Sequence, residues 1–343
     1  MRNQILSMLL ALGTALSLSG CSTGGDPQAL AFAPEESQRL TVYTAHKEEV
    51  WWPIVKEFEE RTGIWVDVVS GGTNELLERI AQEEDSPKAD VMFGGGVESL
   101  EFYRDCFQPY TCAESEKLQT QVRVPDDLWT PFSSLPVVLI YNTKLVDPQE
   151  ITRWGDLLSP EFRGKIAFAD PSISGSCFTG LVTLLDALGG DQDGTIRCFV
   201  DSLDGRQLDS SGAVLTSVAG GTDWIGVTLE ETALKRIAAG DDIALVYPAD
   251  GTSSVPDGSA LVAGAPHEDN AKRFLDFTVS WDVQQLLATQ FYRRSVRTDV
   301  ELGQKLPDLA ELSLVDYDVG WASENRNAIL MAWAFYLGGE EEP

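Results

Sequence analysis

The sequence predicts an α/β protein of two lobes joined by two hinge crossovers, and three observations carry that expectation. Its first part alternates short β-type runs with amphipathic helical runs, the pattern of a parallel sheet wrapped by helices. Two long apolar runs, 135–142 and 242–247, mark where a chain would cross between lobes, near 135–142, and lead into its return, near 245–257. The folding segment, 39–343, is long enough for two cores, and an apolar content of 43% supports them.

In chain order, 40–43 is a β-type run ending at Thr44-Ala45-His46. A helical stretch ends at Thr62-Gly63, and Pro53 marks its expected start because proline suits a first helical turn. Residues 64–69 form a second strand, Ser70-Gly71-Gly72-Thr73 a tight turn, and 74–80 a helix. The third strand, 89–93, runs into Gly94-Gly95-Gly96. After a less regular stretch, 135–142 opens new α/β units: a strand at 165–169, a helix at 177–188, and strands at 224–229 and 242–247. Amphipathic helices follow at 267–280 and 283–290. The expected division is 39–135 with 257–343 as the first lobe and 136–256 as the second. A cleft between lobes joined this way is a natural ligand site.

The N-terminus has its own logic. Residues 1–20 read as a signal peptide, with Arg2 followed by an apolar run too short to be retained as a membrane span. The run Leu18-Ser19-Gly20-Cys21 resembles the bacterial lipobox, which makes Cys21 the expected lipidation site. Residues 22–38 are small, polar and Pro/Gly-containing, and read as a flexible tether. The protein is therefore expected outside the cytoplasm, lipid-anchored to the cell membrane.

The charge is extreme. With 25 Lys+Arg against 54 Asp+Glu, the net charge is −29, which argues against a nucleic-acid partner because that needs a basic footprint. It leaves room for an anionic ligand held by local dipoles. Beyond Cys21, the cysteines are Cys106, Cys112, Cys177 and Cys198, an even number that suggests two disulfides outside the cell. Three pairings are open, and the shortest loops join Cys106 to Cys112 and Cys177 to Cys198. No metal-ligand spacing such as CxxC occurs, and no metal or other cofactor is expected.

The chemistry concentrates where strands give way to helices. Four such places carry small or hydroxylated residues: Thr44-Ala45-His46, Ser70-Gly71-Gly72-Thr73, Ser172-Ile173-Ser174-Gly175-Ser176 and Ser210-Ser211-Gly212. A helix start presents unpaired N–H groups and a positive dipole end, and several facing one cleft make a phosphate or carboxylate site without any lysine. Any one of them alone reads as an ordinary N-cap worth about 1 kcal/mol. His46 can donate to a phosphate oxygen or cap the following helix, and Glu230 can accept from sugar hydroxyls. His267 reads as an exposed helix-start residue, and Arg293, Arg294 and Arg297 form a tight basic cluster that reads as pairing with the acidic surface, with one of them able to reach an anion as the alternative.

These residues bring the chain to a known family. The runs VYTAH, FEERTGIWVDVVSGGTNELLERI, DVMFGGG, RGKIAFADPSISGSCF, IGVTLEE and RRSVRTDV, in this order, resemble the extracellular solute-binding proteins of ABC importers, in the group related to ferric-iron binders. Within it the likeness is strongest to hexose-phosphate-binding (AfuA-type) proteins. The resemblance implies the two-lobed periplasmic-binding-protein fold (type II, a venus flytrap), acting as a monomer that delivers solute to an ABC permease. It also implies that His46, Gly72, Thr73, Ser172, Ser174 and Ser211 hold the phosphate of a small phosphorylated solute, with Glu230 on the sugar. Two alternatives share the fold: a ferric-iron binder and an aminoethylphosphonate binder. The first typically uses adjacent tyrosines, and no two of the eight tyrosines here adjoin. An extracellular hydrolase is the other class, but the folding segment holds no Gly-x-Ser-x-Gly elbow, HExxH or P-loop, so no catalytic residue is assigned.

Overall fold

The computed structural model describes residues 34–301 and 306–338; the expected signal peptide, Cys21 and most of the tether lie outside them. Strands β1 (Arg39–Thr44), β2 (Trp65–Ser70) and β3 (Val91–Gly96) pair in parallel with β1 in the middle, as the alternation predicts. Between β1 and β2, helix α1 (Glu48–Thr62) buries Val50, Ile54, Val55 and Phe58 at helical spacing and stops at Gly63, whose φ of 72° glycine adopts without strain. Pro53 lies inside α1, not at its start. Glu48 and Glu49 favour the earlier start by complementing the dipole, and packing of Val50 on the core outweighs the one backbone bond the proline forfeits. Helix α2 (Thr73–Gln82) joins β2 to β3, and α3 (Val97–Phe102) follows β3 directly.

The long strand β5 (Thr130–Asn142) ties the molecule together, after a two-residue β4 (Phe107–Gln108). Up to Pro136, β5 pairs antiparallel with β9 (Ser254–Val262) and β10 (Arg294–Ser295); from Val137 it pairs with β7 (Ile225–Leu229) and β8 (Ile243–Val246). β7 also pairs in parallel with β6 (Ile166–Ala167), so the strand order is β2-β1-β3-β9-β5-β7-β6. The chain thus crosses along β5 and returns into β9, beside it. β9 is absent from the sequence reading because Pro256, Asp257 and Gly258 look like a turn; pairing with β3 on one side and β5 on the other makes it a strand.

The remaining helices are α4 (Gly175–Leu188), α5 (Gln192–Leu203), α6 (Ser211–Ala219), α7 (Glu230–Ala238), α8 (Glu268–Thr278), α9 (Trp281–Gln290), α10 (Val319–Glu324) and α11 (Arg326–Leu337). One core gathers Leu40, Val42, Phe58, Phe93, Phe132 and Phe274; a second gathers Val138, Ile140, Trp154, Phe168, Leu181 and Phe199, beside smaller apolar clusters. α11 differs from the expected division. It packs Ile329 and Trp333 into the second core, with the Trp333 ring 5.4 Å from Phe168, although the sequence reading places 257–343 with the first lobe.

The expected disulfides are corrected: Cys106, Cys112, Cys177 and Cys198 are free thiols. Extended β4, paired with Leu261 and Val262, lies between the first two. Cys112 packs with Leu118, Val122, Val279 and Val296, apart from half-buried Cys106. Cys177 is buried in the first turn of α4, whereas Cys198 is exposed on α5. Burial, with the Asp276 charge, pushes the Cys112 thiol up to about 11, so it stays protonated at neutral pH.

Candidate functional site

Helix starts from both halves of the sheet meet at a cavity of about 290 Å³. α2 begins after Gly72, α4 after Ser174 and α6 after Ser210, and all three residues line the cavity with Thr73, Ser176 and Ser211. Ser174 and Ser210 are true caps, their hydroxyls accepting from the Cys177 and Ala213 N–H groups at 3.3 Å. The α2 and α4 starts almost touch, since a Cβ placed on Gly175 would lie 3.6 Å from Thr73 Oγ1. Two further contacts cross the cavity rim: Asn74 Nδ2 donates to the Ser172 carbonyl at 2.6 Å, and the Thr179 hydroxyl donates to Glu98.

The rest of the wall is a buried polar network. Arg293 Nη1 donates to Asp257 Oδ2 at 2.7 Å and to Ser133 Oγ at 2.9 Å, and Nη2 lies 3.5 Å from Glu231 Oε1. Lys235 reaches Glu231 and Glu49, each at 3.1 Å. Burial pushes the Glu231 carboxyl up, but Arg293 and Lys235 together hold it below the usual range, so it is ionised. Burial likewise opposes the Arg293 charge, yet Asp257 and Glu231 keep its guanidinium protonated. His46 lies beside them, edge-on to Phe93 at 4.6 Å. Burial, then the Arg293 and Lys235 charges, hold its imidazole well below the ordinary value, so the ring is neutral at pH 7. His46 Nε2, 3.7 Å from Asp257 Oδ2, and Arg293 Nε are buried without a hydrogen-bond partner. Both residues line the cavity and leave polar capacity for a ligand.

Of the residues singled out from sequence, His46, Gly72, Thr73, Ser174 and Ser211 line this one cavity. Ser172 and Glu230 do not. The Ser172 hydroxyl turns back to Asp170 Oδ1 at 2.6 Å. Glu230 is 1% exposed and held by Arg294 and the Tyr247 hydroxyl, whereas its neighbour Glu231 lines the cavity. A helical residue and its successor point about 100° apart, and sequence likeness alone does not say which of two adjacent glutamates faces inward. His46 is not the N-cap of α1; Lys47 is. Sequence reasoning passes over Asp257, Lys235 and Glu98, and reads Arg293, Arg294 and Arg297 chiefly as pairing with the acidic surface although all three are buried and Arg293 lines the cavity. The consecutive arginines and consecutive glutamates were the available signal.

The arrangement suits a small solute with an anionic end. N–H groups and hydroxyls at the helix starts can surround the anion, while Glu231, Asp257 and neutral His46 can bond hydroxyl or ammonium groups on the remainder. The hydroxyls of Tyr43, Tyr110 and Tyr247 are committed to Glu83, Asp276 and Glu230, away from the cavity, and that of Tyr317 donates to Glu98 in its wall.

Comparison with known proteins agrees with this architecture. A family model described as bacterial extracellular solute-binding protein matches residues 86–319. Iron uptake protein A1 of Synechocystis is 27% identical, over 89% of this chain and 90% of its own length. The periplasmic binding protein AfuA of Actinobacillus pleuropneumoniae, solved with fructose-6-phosphate bound, superimposes with a TM-score of 0.80 at 22% identity, covering 88% of this chain and 98% of that one. The ferric binding protein of Campylobacter jejuni superimposes with a TM-score of 0.77 at 21% identity, over 87% of this chain and 99% of that one. These likenesses show the two-lobed type II binding-protein fold.

Proposed function

We propose that this chain, which belongs to the bacterial extracellular solute-binding proteins, captures a small phosphorylated solute between its lobes and delivers it to the permease of an ABC importer. One observation carries the choice of ligand: the starts of α2, α4 and α6 converge on a single cavity and bring the hydroxyl-bearing residues Thr73, Ser174, Ser176, Ser210 and Ser211 to its lining. Such a cradle favours a compact polyanion, which the summed dipoles and N–H groups neutralise without a salt bridge. A few charge-assisted hydrogen bonds of roughly 1.5–3 kcal/mol each reach the 8 kcal/mol or so of a micromolar complex after ordering costs. The carboxylates of Glu231 and Asp257 then favour a hydroxylated remainder, as in a hexose phosphate. The lobes in this reading are 39–135 with 257 onward and 136–256, with α11 docked on the second. The protein acts as a binder without catalysis, tethered by lipid on Cys21 beside its permease.

Calorimetric titration with glucose 6-phosphate, fructose 6-phosphate, aminoethylphosphonate and ferric citrate tests this. Heat of binding with a hexose phosphate, and none with ferric citrate, is the expected result. Binding of iron alone, with a visible charge-transfer colour, would overturn the phosphate reading. Release of inorganic phosphate from a bound sugar phosphate would replace binder by hydrolase.

A further inference from the structure

Two consecutive arginines meet two consecutive glutamates where β5 changes partners. Arg294 gives Nε to Glu230 Oε2 at 2.7 Å and Nη2 to Oε1 at 2.8 Å, a two-pronged pair. Next to it, Arg293 Nη2 lies 3.5 Å from Glu231 Oε1. All four side chains are buried. Arg294 belongs to β10 and pairs with Ser134 of β5; Glu230 directly follows Leu229, which pairs with Val137 of β5. The partner change between Pro136 and Val137 falls between these anchor points, so each pair bridges the crossover. They differ in what they face. Arg293 and Glu231 line the cavity, whereas Arg294 and Glu230 do not. The Tyr247 hydroxyl completes the Glu230 carboxylate, and Arg294 Nη1 donates to the Pro307 carbonyl at 2.9 Å.

We propose that Arg294–Glu230 is a hinge pair that sets how readily the lobes close on any solute, leaving the choice of solute to the residues facing the cavity. The proposal rests on the reading that solute binds in that cavity. A bidentate pair fixes distance and direction together, and separating it would leave two charges buried and unpaired. Placed on the crossover, it favours one orientation of the lobes, the one in which both supply the cavity wall. The population of that orientation multiplies the affinity of every ligand by the same fraction. Arg294 and Glu230 are thus positioning residues.

The test uses the full chain, calorimetric affinities for glucose 6-phosphate and inorganic phosphate, and the radius of gyration from small-angle scattering. Glu230→Gln is expected to weaken both ligands by one common factor, about tenfold, and to enlarge the ligand-free radius. The double variant Glu230→Gln/Arg294→Gln leaves no lone buried ion, and is expected to melt closer to the wild type while showing the same common factor. Glu231→Gln, on the cavity side, is expected to change the ratio of the two affinities instead. A changed ratio in Glu230→Gln would overturn the proposal, as would wild-type affinities and radius in both the single and the double variant. If the wild type binds neither probe, the sugar-phosphate reading fails separately. The hinge pair then stands on the ligand-free radius: a larger one supports it and an equal one overturns it.

Discussion

Thr73 and Ser211 stand at the first positions of α2 and α6, where a hydroxyl adds a donor to a helix start without adding charge. Thr73→Val and Ser211→Ala each remove one such donor. Each is expected to weaken a hexose phosphate by roughly 10- to 100-fold, the cost of a charge-assisted hydrogen bond, and to leave the unphosphorylated sugar nearly unaffected. Equal losses for both ligands, by calorimetry, would remove these residues from the anion site. His267 gives a prediction about stability. Its Nδ1 lies 2.9 Å from Asp90 and its Nε2 3.1 Å from Glu36. Burial opposes its charge, but those two carboxylates together raise its pKa above the ordinary value. A raised folded pKa means that the stabilisation is full below the unfolded value, about 6.5, and is lost as pH rises through the folded one. The melting-temperature gap between the wild type and His267→Asn should therefore be widest near pH 6 and shrink as the pH is raised above the ordinary histidine value. The sequence reading placed His267 at an exposed helix start. Its partners come from the residue just before β3 and from the segment before β1, contacts that no local pattern encodes.

Elements with strong local periodicity were legible and those built by pairing were not. β1 to β3, α2, α4, α8 and α9 follow from alternation or helical spacing within their own residues. β9 breaks its pattern with Pro256, Asp257 and Gly258 and becomes a strand only between β3 and β5. α11 is apolar on most of its surface, so its period does not say which core it joins; Trp333 does, by packing against Phe168 and Phe199 and donating to Gln207 at 2.9 Å. Trp333→Ala is expected to cost about 3–5 kcal/mol of stability, read as a lower urea midpoint at unchanged slope. A loss below about 1 kcal/mol would mean that the helix is not part of the second core. At the candidate site, the hydroxyl-rich helix starts were legible because composition marks them. The inward turn of Glu231 and the outward turn of Glu230 were not, because that depends on which arginine each one meets.

At the scale of the molecule, the proposed function has a chain of net charge −29 taking up an anion through local dipoles, against its own long-range field. Association with a sugar phosphate should therefore speed up as ionic strength rises from about 10 to 150 mM, because salt screens the repulsion while the short contacts persist. Stopped-flow rates that fall with salt would point to steering by cations such as Lys235 and Arg293. The two-lobed architecture was legible in the order of α/β units and the two long apolar runs; the convergence of helix starts on one cavity is a long-range result of β5 and β9 lying side by side. A crystal structure of the protein with glucose 6-phosphate bound tests that convergence most directly. The account predicts the phosphate between the starts of α2, α4 and α6, accepting from their N–H groups and from Thr73 and Ser211, with the sugar toward Glu231 and Asp257. A phosphate held by Arg293 and Lys235, with the three helix starts unoccupied, would contradict it.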